Sequence, residues 1–190
     1  RRFGCGDVLC LAGLPLRMLH NRGPEPAVLV AVSRAAVDPQ AGEVEASLVQ
    51  EELGRNKGYE YARGKNPTRE ALERNVAALE GGMHGFAFSS GMGCVDSLMK
   101  LFRSGDHVVC GENVYGGTFR LFDKILKNYG IEFTFVDTSD AANVEAAIRD
   151  NTRMVFVETP TNPVMIVSDL QAVSDVAHRA GARVVCDNTF

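Results

Sequence analysis

The 190-residue sequence is 45% hydrophobic with a formal net charge of -4 and an isoelectric point near 5.6. It can therefore bury a real core, and it lacks the basic footprint that would make nucleic acid the expected partner. No apolar run approaches the ~20 residues of a membrane helix, so no membrane partner is expected either.

Residues 1–57 form the first unit, expected to be an irregular arm that is partly disordered. Val8 to Leu16, behind Arg1 and Arg2, imitates the charged and apolar parts of a signal peptide, but Gly13 and Pro15 interrupt it and no clear cleavage site follows. The several arginines and few acids of residues 1–36 also fit a transit peptide, and an arm is the default reading. GPEP at 23–26 and DPQAG at 38–42 are turn-rich, and only Glu43 to Leu53 is helix-competent.

After Gly58 the pattern becomes regular. A helix is predicted from Pro67, with Asn66 as its cap, Leu72, Val76 and Leu79 as its buried stripe, and Gly81-Gly82 as its stop. Five short apolar runs follow at 85–88, 107–110, 131–136, 153–158 and 182–186, starting roughly 22 to 29 residues apart, which suits strand-helix-strand units. Helical patterns lie between them at 91–103, 116–129, 141–149 and 169–180; in the last, Leu170, Val173, Val176 and Ala177 share one face. Strands alternating with helices imply a three-layer α/β/α unit around a mostly parallel sheet.

The five cysteines form no CxxC pair, and the last three, Cys94, Cys110 and Cys186, fall in apolar runs. They read as reduced core residues of a cytoplasmic protein. The four histidines are scattered, so no metal site is expected.

The chemistry is expected at the carboxyl ends of the strands, where open α/β sheets keep their ligands. SSGMG, Ser89 to Gly93, joins a strand to a helix and makes an anion cradle from serine hydroxyls and helical N–H groups. An ordinary turn is the alternative, and the loop is neither a Walker loop nor a full dinucleotide fingerprint. YEYARGKNPT, Tyr59 to Thr68, offers Tyr and Arg donors to phosphate or is a solvated basic loop. In ENVYGGTFR, Tyr115 can stack on a flat ring and Arg120 can meet a carboxylate; packing is the plain alternative. ETPTNP holds Asn162 rigidly between prolines. VVCDNTF delivers Asp187 at a strand tip, where it can pair with a protonated ring nitrogen or cap a following helix. Together the segments propose a phosphorylated, flat, nitrogen-containing ring, and pyridoxal phosphate fits best.

YEYARGKNPT, SSGMG, VYGGT, ETPTNP and VVCDNTF, in this order, resemble the Cys/Met-metabolism pyridoxal-phosphate enzymes, a family that includes cystathionine γ-synthase, γ-lyase and β-lyase. The resemblance spans about Gly58 to Phe190. It implies the first part of a fold-type-I large domain over 58–190, with the C-terminal domain absent from the sequence.

It also implies that Ser90, Gly91 and Met92 hold the phosphate, with Tyr61 and Arg63 reaching the phosphate of a neighbouring subunit. Tyr115 would stack on the ring as the catalytic aromatic. Asn162, Asp187 and Thr189 would complete the cofactor contacts, and Arg120 would lie near a small amino-acid substrate. The assembly implied is a homo-oligomer, a dimer of dimers, with a site shared between subunits.

Two departures qualify the likeness: Arg63 is followed by Gly64-Lys65 in place of a small polar residue and Gly, and the stretch before Gly58 lacks a Pro- and Thr-rich entry segment. The family's Schiff-base lysine is expected beyond VVCDNTF, and none of Lys57, Lys65, Lys100, Lys124 or Lys127 is placed to replace it. The expected activity is γ-replacement or γ-elimination on sulfur amino acids or activated homoserine. The alternative is a catalytically silent fragment with weak cofactor binding or an association role. A generic nucleotide binder is disfavoured by the incomplete glycine fingerprint.

Overall fold

The structure is a computed structural model that describes residues 64–190, together with the backbone of four short strands before them. These are β1 (Val8–Ala12), β2 (Val28–Val32), β3 (Gln50–Glu52) and β4 (Arg55–Asn56). The described part continues as α1 (Pro67–Glu80), β5 (His84–Phe88), α2 (Gly91–Met99) and β6 (His107–Gly111). Next come α3 (Gly116–Arg120), β7 (Glu132–Val136), α4 (Ala141–Ala147), β8 (Thr152–Glu158), α5 (Leu170–Arg179) and β9 (Arg183–Asp187).

Seven strands form one sheet in the order β5-β2-β1-β9-β8-β6-β7, and every neighbouring pair runs parallel. Successive side chains of its central strands point to opposite faces, and both faces are apolar, as a parallel sheet covered on two sides requires. Val109, Val155, Val157, Val184 and Cys186 join one core cluster with Val76 of α1, Val144 of α4, and Leu170, Val173, Val176 and Ala177 of α5. Val108, Cys110, Met154, Phe156 and Val185 join the other with Cys94, Val95, Leu98 and Met99 of α2 and with Phe122 and Leu126. The alternation of single residues between two clusters is what makes the unit three-layered, and it buries Cys94, Cys110 and Cys186 as expected.

Asn66 caps α1 by accepting from the amides of Thr68 and Arg69, at 3.0 and 3.1 Å. The helix ends at Gly81 in the left-handed region (φ 67°). Its buried stripe differs from the expectation in one residue. Leu79 is 50% exposed, whereas Val76, Ala77 and Glu80 are buried, because the face toward the sheet runs one position off the Leu72-Val76-Leu79 diagonal. Helix α2 stops at Met99, short of residue 103, where i+3 bonds from Leu101 to Leu98 and from Phe102 to Met99 tighten its last turn. The expected helix over 116–129 is wound unevenly: α3 is followed by a π turn at Leu121–Ile125 and a 3₁₀ turn at Leu126–Tyr129.

Within the stretch assigned to the arm, β1 and β2 lie in the large sheet between β5 and β9, with Cys10 opposite Asp187. The end of the helix-competent stretch, Gln50–Glu52, is instead a strand paired antiparallel with Arg55–Asn56. The remainder of 1–57 lies outside the described residues.

Candidate active site

Parallel strands end on the same side of the sheet, so the loops after β5, β6, β8 and β9 emerge at one edge. After β5, Ser90 is extended (φ -161°, ψ 161°) and caps α2. Its hydroxyl accepts from the Gly93 amide at 3.1 Å, and its carbonyl accepts from Cys94. Among the described residues nothing accepts from the amides of Gly91 and Met92, which leaves two helical N–H groups and the Ser90 hydroxyl proton as donors.

After β6, Tyr115 stands at the start of α3, 58% exposed, with its amide bonded to Glu158 Oε2 at 2.6 Å. Its ring crosses Gly117: a Cβ at that position would meet Tyr115 Cε1 at 2.4 Å and Met92 Sδ at 3.1 Å. The ring-stacking candidate and the phosphate-loop candidate are therefore neighbours. Arg120, exposed at the end of α3, folds its guanidinium back so that Nη1 would lie 3.4 Å from a Cβ on Gly116, one residue from Tyr115.

After β8 the chain turns through two cis peptides, Thr159-Pro160 and Asn162-Pro163. The turn is pinned from inside. Ser168 donates its amide to Thr159 Oγ1 at 3.0 Å, the Ser168 and Thr138 hydroxyls bond at 2.9 Å, and Ile166 donates to Thr161 Oγ1 at 3.1 Å. This frame holds the exposed Asn162 at the strand end. After β9, Asp187 is half-buried; its Oδ1 accepts from the Thr189 hydroxyl at 2.5 Å and from the Thr189 amide at 3.2 Å. Burial pushes the Asp187 carboxyl above its ordinary range, and the bonds from Thr189 only partly oppose that.

Ser90, Gly91, Met92, Tyr115, Arg120, Asn162, Asp187 and Thr189 thus all stand in the segments that follow the strand ends of this one edge: loops, a strand tip, the first turn of α2 and the short α3. Tyr61 and Arg63 lie outside the described residues. Sequence reasoning missed two contributors. Glu158 ends β8 directly opposite Asp187 in the sheet register, yet in ETPTNP only Asn162 was singled out; a carboxylate closing an apolar strand was the available signal. Gly117 carried no signal of its own, because its use is visible only once the Tyr115 ring is placed.

Fold and loops together define an α/β domain with an open helix N-terminus, an aromatic and a partly buried acid at one sheet edge. The chain belongs to the Cys/Met metabolism PLP-dependent enzyme family, whose model matches residues 31–190. It is 52% identical over 141 residues to a cystathionine gamma-lyase of Bacillus subtilis, covering 74% of this chain and 37% of that protein. It is 40% identical over 182 residues to a probable cystathionine gamma-synthase of Herpetosiphon aurantiacus, covering 94% and 54%. A crystal structure of cystathionine gamma-lyase from Lactobacillus plantarum, complexed with L-serine, superposes with a TM-score of 0.70 at 47% identity over 75% of this chain and 37% of that one. The chain therefore spans only about a third to a half of the length of these relatives.

The family is pyridoxal-phosphate dependent, and the donor set here fits that group: unpaired helical amides suit a phosphate, an exposed aromatic suits a ring face, and a half-buried acid suits a ring nitrogen. Among the described residues no helix is long and apolar enough to cross a membrane.

Proposed function

We propose that residues 58–190 are the first part of the cofactor-binding large domain of a cytoplasmic transsulfuration enzyme, with β1 and β2 of the preceding stretch 1–57 contributing strands to its sheet. The enzyme would be of the γ-synthase or γ-lyase type, acting on sulfur amino acids or activated homoserine. The observation that carries this reading is the meeting, at one sheet edge, of the Gly91 and Met92 amides, the exposed Tyr115 ring and the Asp187 carboxylate.

Bound there, pyridoxal phosphate supplies an electron sink for carbanion charge. The chain's own residues bind and orient. Gly91, Met92 and Ser90 donate to the phosphate, and Tyr115 covers one ring face. Asp187 holds a proton on the ring nitrogen, with Thr189 fixing the carboxylate by two bonds. Asn162 meets the ring edge, and Arg120, free to swing from Gly116, receives the substrate carboxylate. Tyr61 and Arg63 are assigned to the phosphate of a second subunit, which makes the active form a homo-oligomer.

Pyridoxine 5'-phosphate tests the site, because it lacks the aldehyde that would label surface lysines. Saturation at about a hundred times Kd is worth about 2.7 kcal/mol, a rise in Tm of about 5 to 10 °C for a chain of this size. Pyridoxine without phosphate is expected to give little shift, and Asp187→Asn to reduce the effect of the phosphorylated ligand. Equal shifts with and without phosphate, or none at all, would overturn the reading.

A further inference from the structure

Glu158 is the one ionisable side chain among these strand-end groups to which the reading above gives no work. It closes β8, is 8% exposed, and lies beside Asp187 in the neighbouring strand. Its Oε2 accepts the Tyr115 amide at 2.6 Å, and the Asn162 amide favours its charged form. Among the described residues no lysine or arginine forms an ion pair with Glu158 or Asp187.

An amide bond to a charged acceptor is stronger than a neutral one, and this one ties the loop after β6 to the end of β8. Where it attaches matters. Tyr115 is followed by Gly116-Gly117, the most permissive backbone pair in the loop, and it has no side-chain cap of its own. The bond at its amide is therefore what fixes the ring's starting point. A core carboxylate kept only for stability is a poor choice here, since burial and the adjacent Asp187 both oppose its charge.

Resting on the cofactor reading above, we propose that Glu158 is a positioning residue. Its carboxylate, bonded to the Tyr115 amide, sets the ring-stacking side chain in fixed relation to Asp187.

Glu158→Gln keeps the shape but removes the charge and turns one oxygen into a donor, which weakens the bond at the Tyr115 amide. The expected outcome has three parts. The Tyr115 amide loses hydrogen-exchange protection in the chain without ligand. The Kd for pyridoxine 5'-phosphate rises about tenfold. At saturation the induced circular dichroism per bound ring falls, a signature that a purely structural role would leave unchanged. Tm is expected to stay level or rise, because a buried charge is removed. Glu158→Asp, charged but one methylene short, should show the same loss of dichroism and stands in if the Gln variant fails to fold. Wild-type binding that is weakened by Asp187→Asn yet shows unchanged affinity and dichroism in the Glu158 variants overturns the positioning role alone. Absence of saturable binding by the wild type overturns the cofactor reading and this role with it.

Discussion

Gly117→Ala separates ring placement from folding. The new Cβ would stand 2.4 Å from Tyr115 Cε1 and 2.9 Å from Cδ1, well inside contact distance, with Met92 Sδ at 3.1 Å on another side. The obstructing atoms are side-chain atoms, and Tyr115 is already 58% exposed, so the ring can swing into solvent without disturbing the core. Gly117 lies in the first turn of α3, where Ala is favoured over Gly by about 0.5–1 kcal/mol. The net change in stability is therefore expected within about 1 kcal/mol, a few degrees in Tm at most. Loss of the stacked aromatic removes about 0.5–1.5 kcal/mol of binding, a rise of about 2- to 12-fold in the Kd for pyridoxine 5'-phosphate. Titration followed by ring absorbance, with a parallel thermal melt, measures both. Gly116→Ala is the control, since its Cβ would meet only Arg120 Nη1 at 3.4 Å. Unchanged affinity in Gly117→Ala would refute the stacking argument, and so would an affinity loss matched by an equal loss of fold stability.

Two further outcomes follow from the core. His107 is fully buried between Thr152 Oγ1 and Thr134 Oγ1, each 2.8 Å from a ring nitrogen, and burial followed by the Arg149 guanidinium lowers its pKa below 6.5. The unfolded chain then takes up this proton first. The stability is whole above 6.5 and is lost as the pH falls from there toward the lowered value. Urea denaturation between about pH 7.5 and 5.5 should show the slope, and His107→Gln should flatten it; an equal slope in the variant would assign the dependence elsewhere. Phe122 is fully buried, stacked on Phe133 (4.8 Å, 18°) and edge-on to Phe156 (5.4 Å, 85°). Phe122→Ala should cost about 3–5 kcal/mol, a large part of the 5–15 kcal/mol typical of a domain, and a Tm within a degree or two of wild type would contradict that packing.

The central part of the sheet was legible because its strands are buried on both faces: HVVC, MVFV and RVVC are short, mostly apolar runs rich in β-branched residues, and their alternation with helical patterns at regular spacing singles out covered parallel strands. VLCLA and VLVAV carry the same signal, but a five-residue apolar run is degenerate between strand, signal-like stretch and arm. What decides it is a partner: β1 pairs with β9, about 175 residues along the chain, and no local pattern reports that register. The site divides in the same way. Asp187 and Tyr115 were readable as residue types at strand ends, whereas Gly117 and Glu158 act through backbone placement. Their use depends on where another residue's ring or amide lies.

The two ends of the sheet respond to protons in opposite senses. At the amino end, His107 is satisfied as a neutral ring by two hydroxyls, and folding excludes its proton. At the carboxyl end, burial raises Asp187 above 3.8 and Glu158 above 4.5, and Asp187 raises Glu158 further. For these two, stability is fully present below those values and is lost as the pH rises through the raised ones. At neutral pH the folded chain therefore holds two adjacent carboxylates that disfavour it. Asp187 has Thr189 to hold it, and among the described residues Glu158 has the Tyr115 amide. A core selected for stability alone would replace such a pair with apolar residues. A bound ring with a protonated nitrogen would reverse the sign at Asp187, since a cation within ~4–6 Å favours the ionised acid. Asp187, which weakens the empty fold at neutral pH, would then strengthen the loaded one, while its charge continues to oppose that of Glu158.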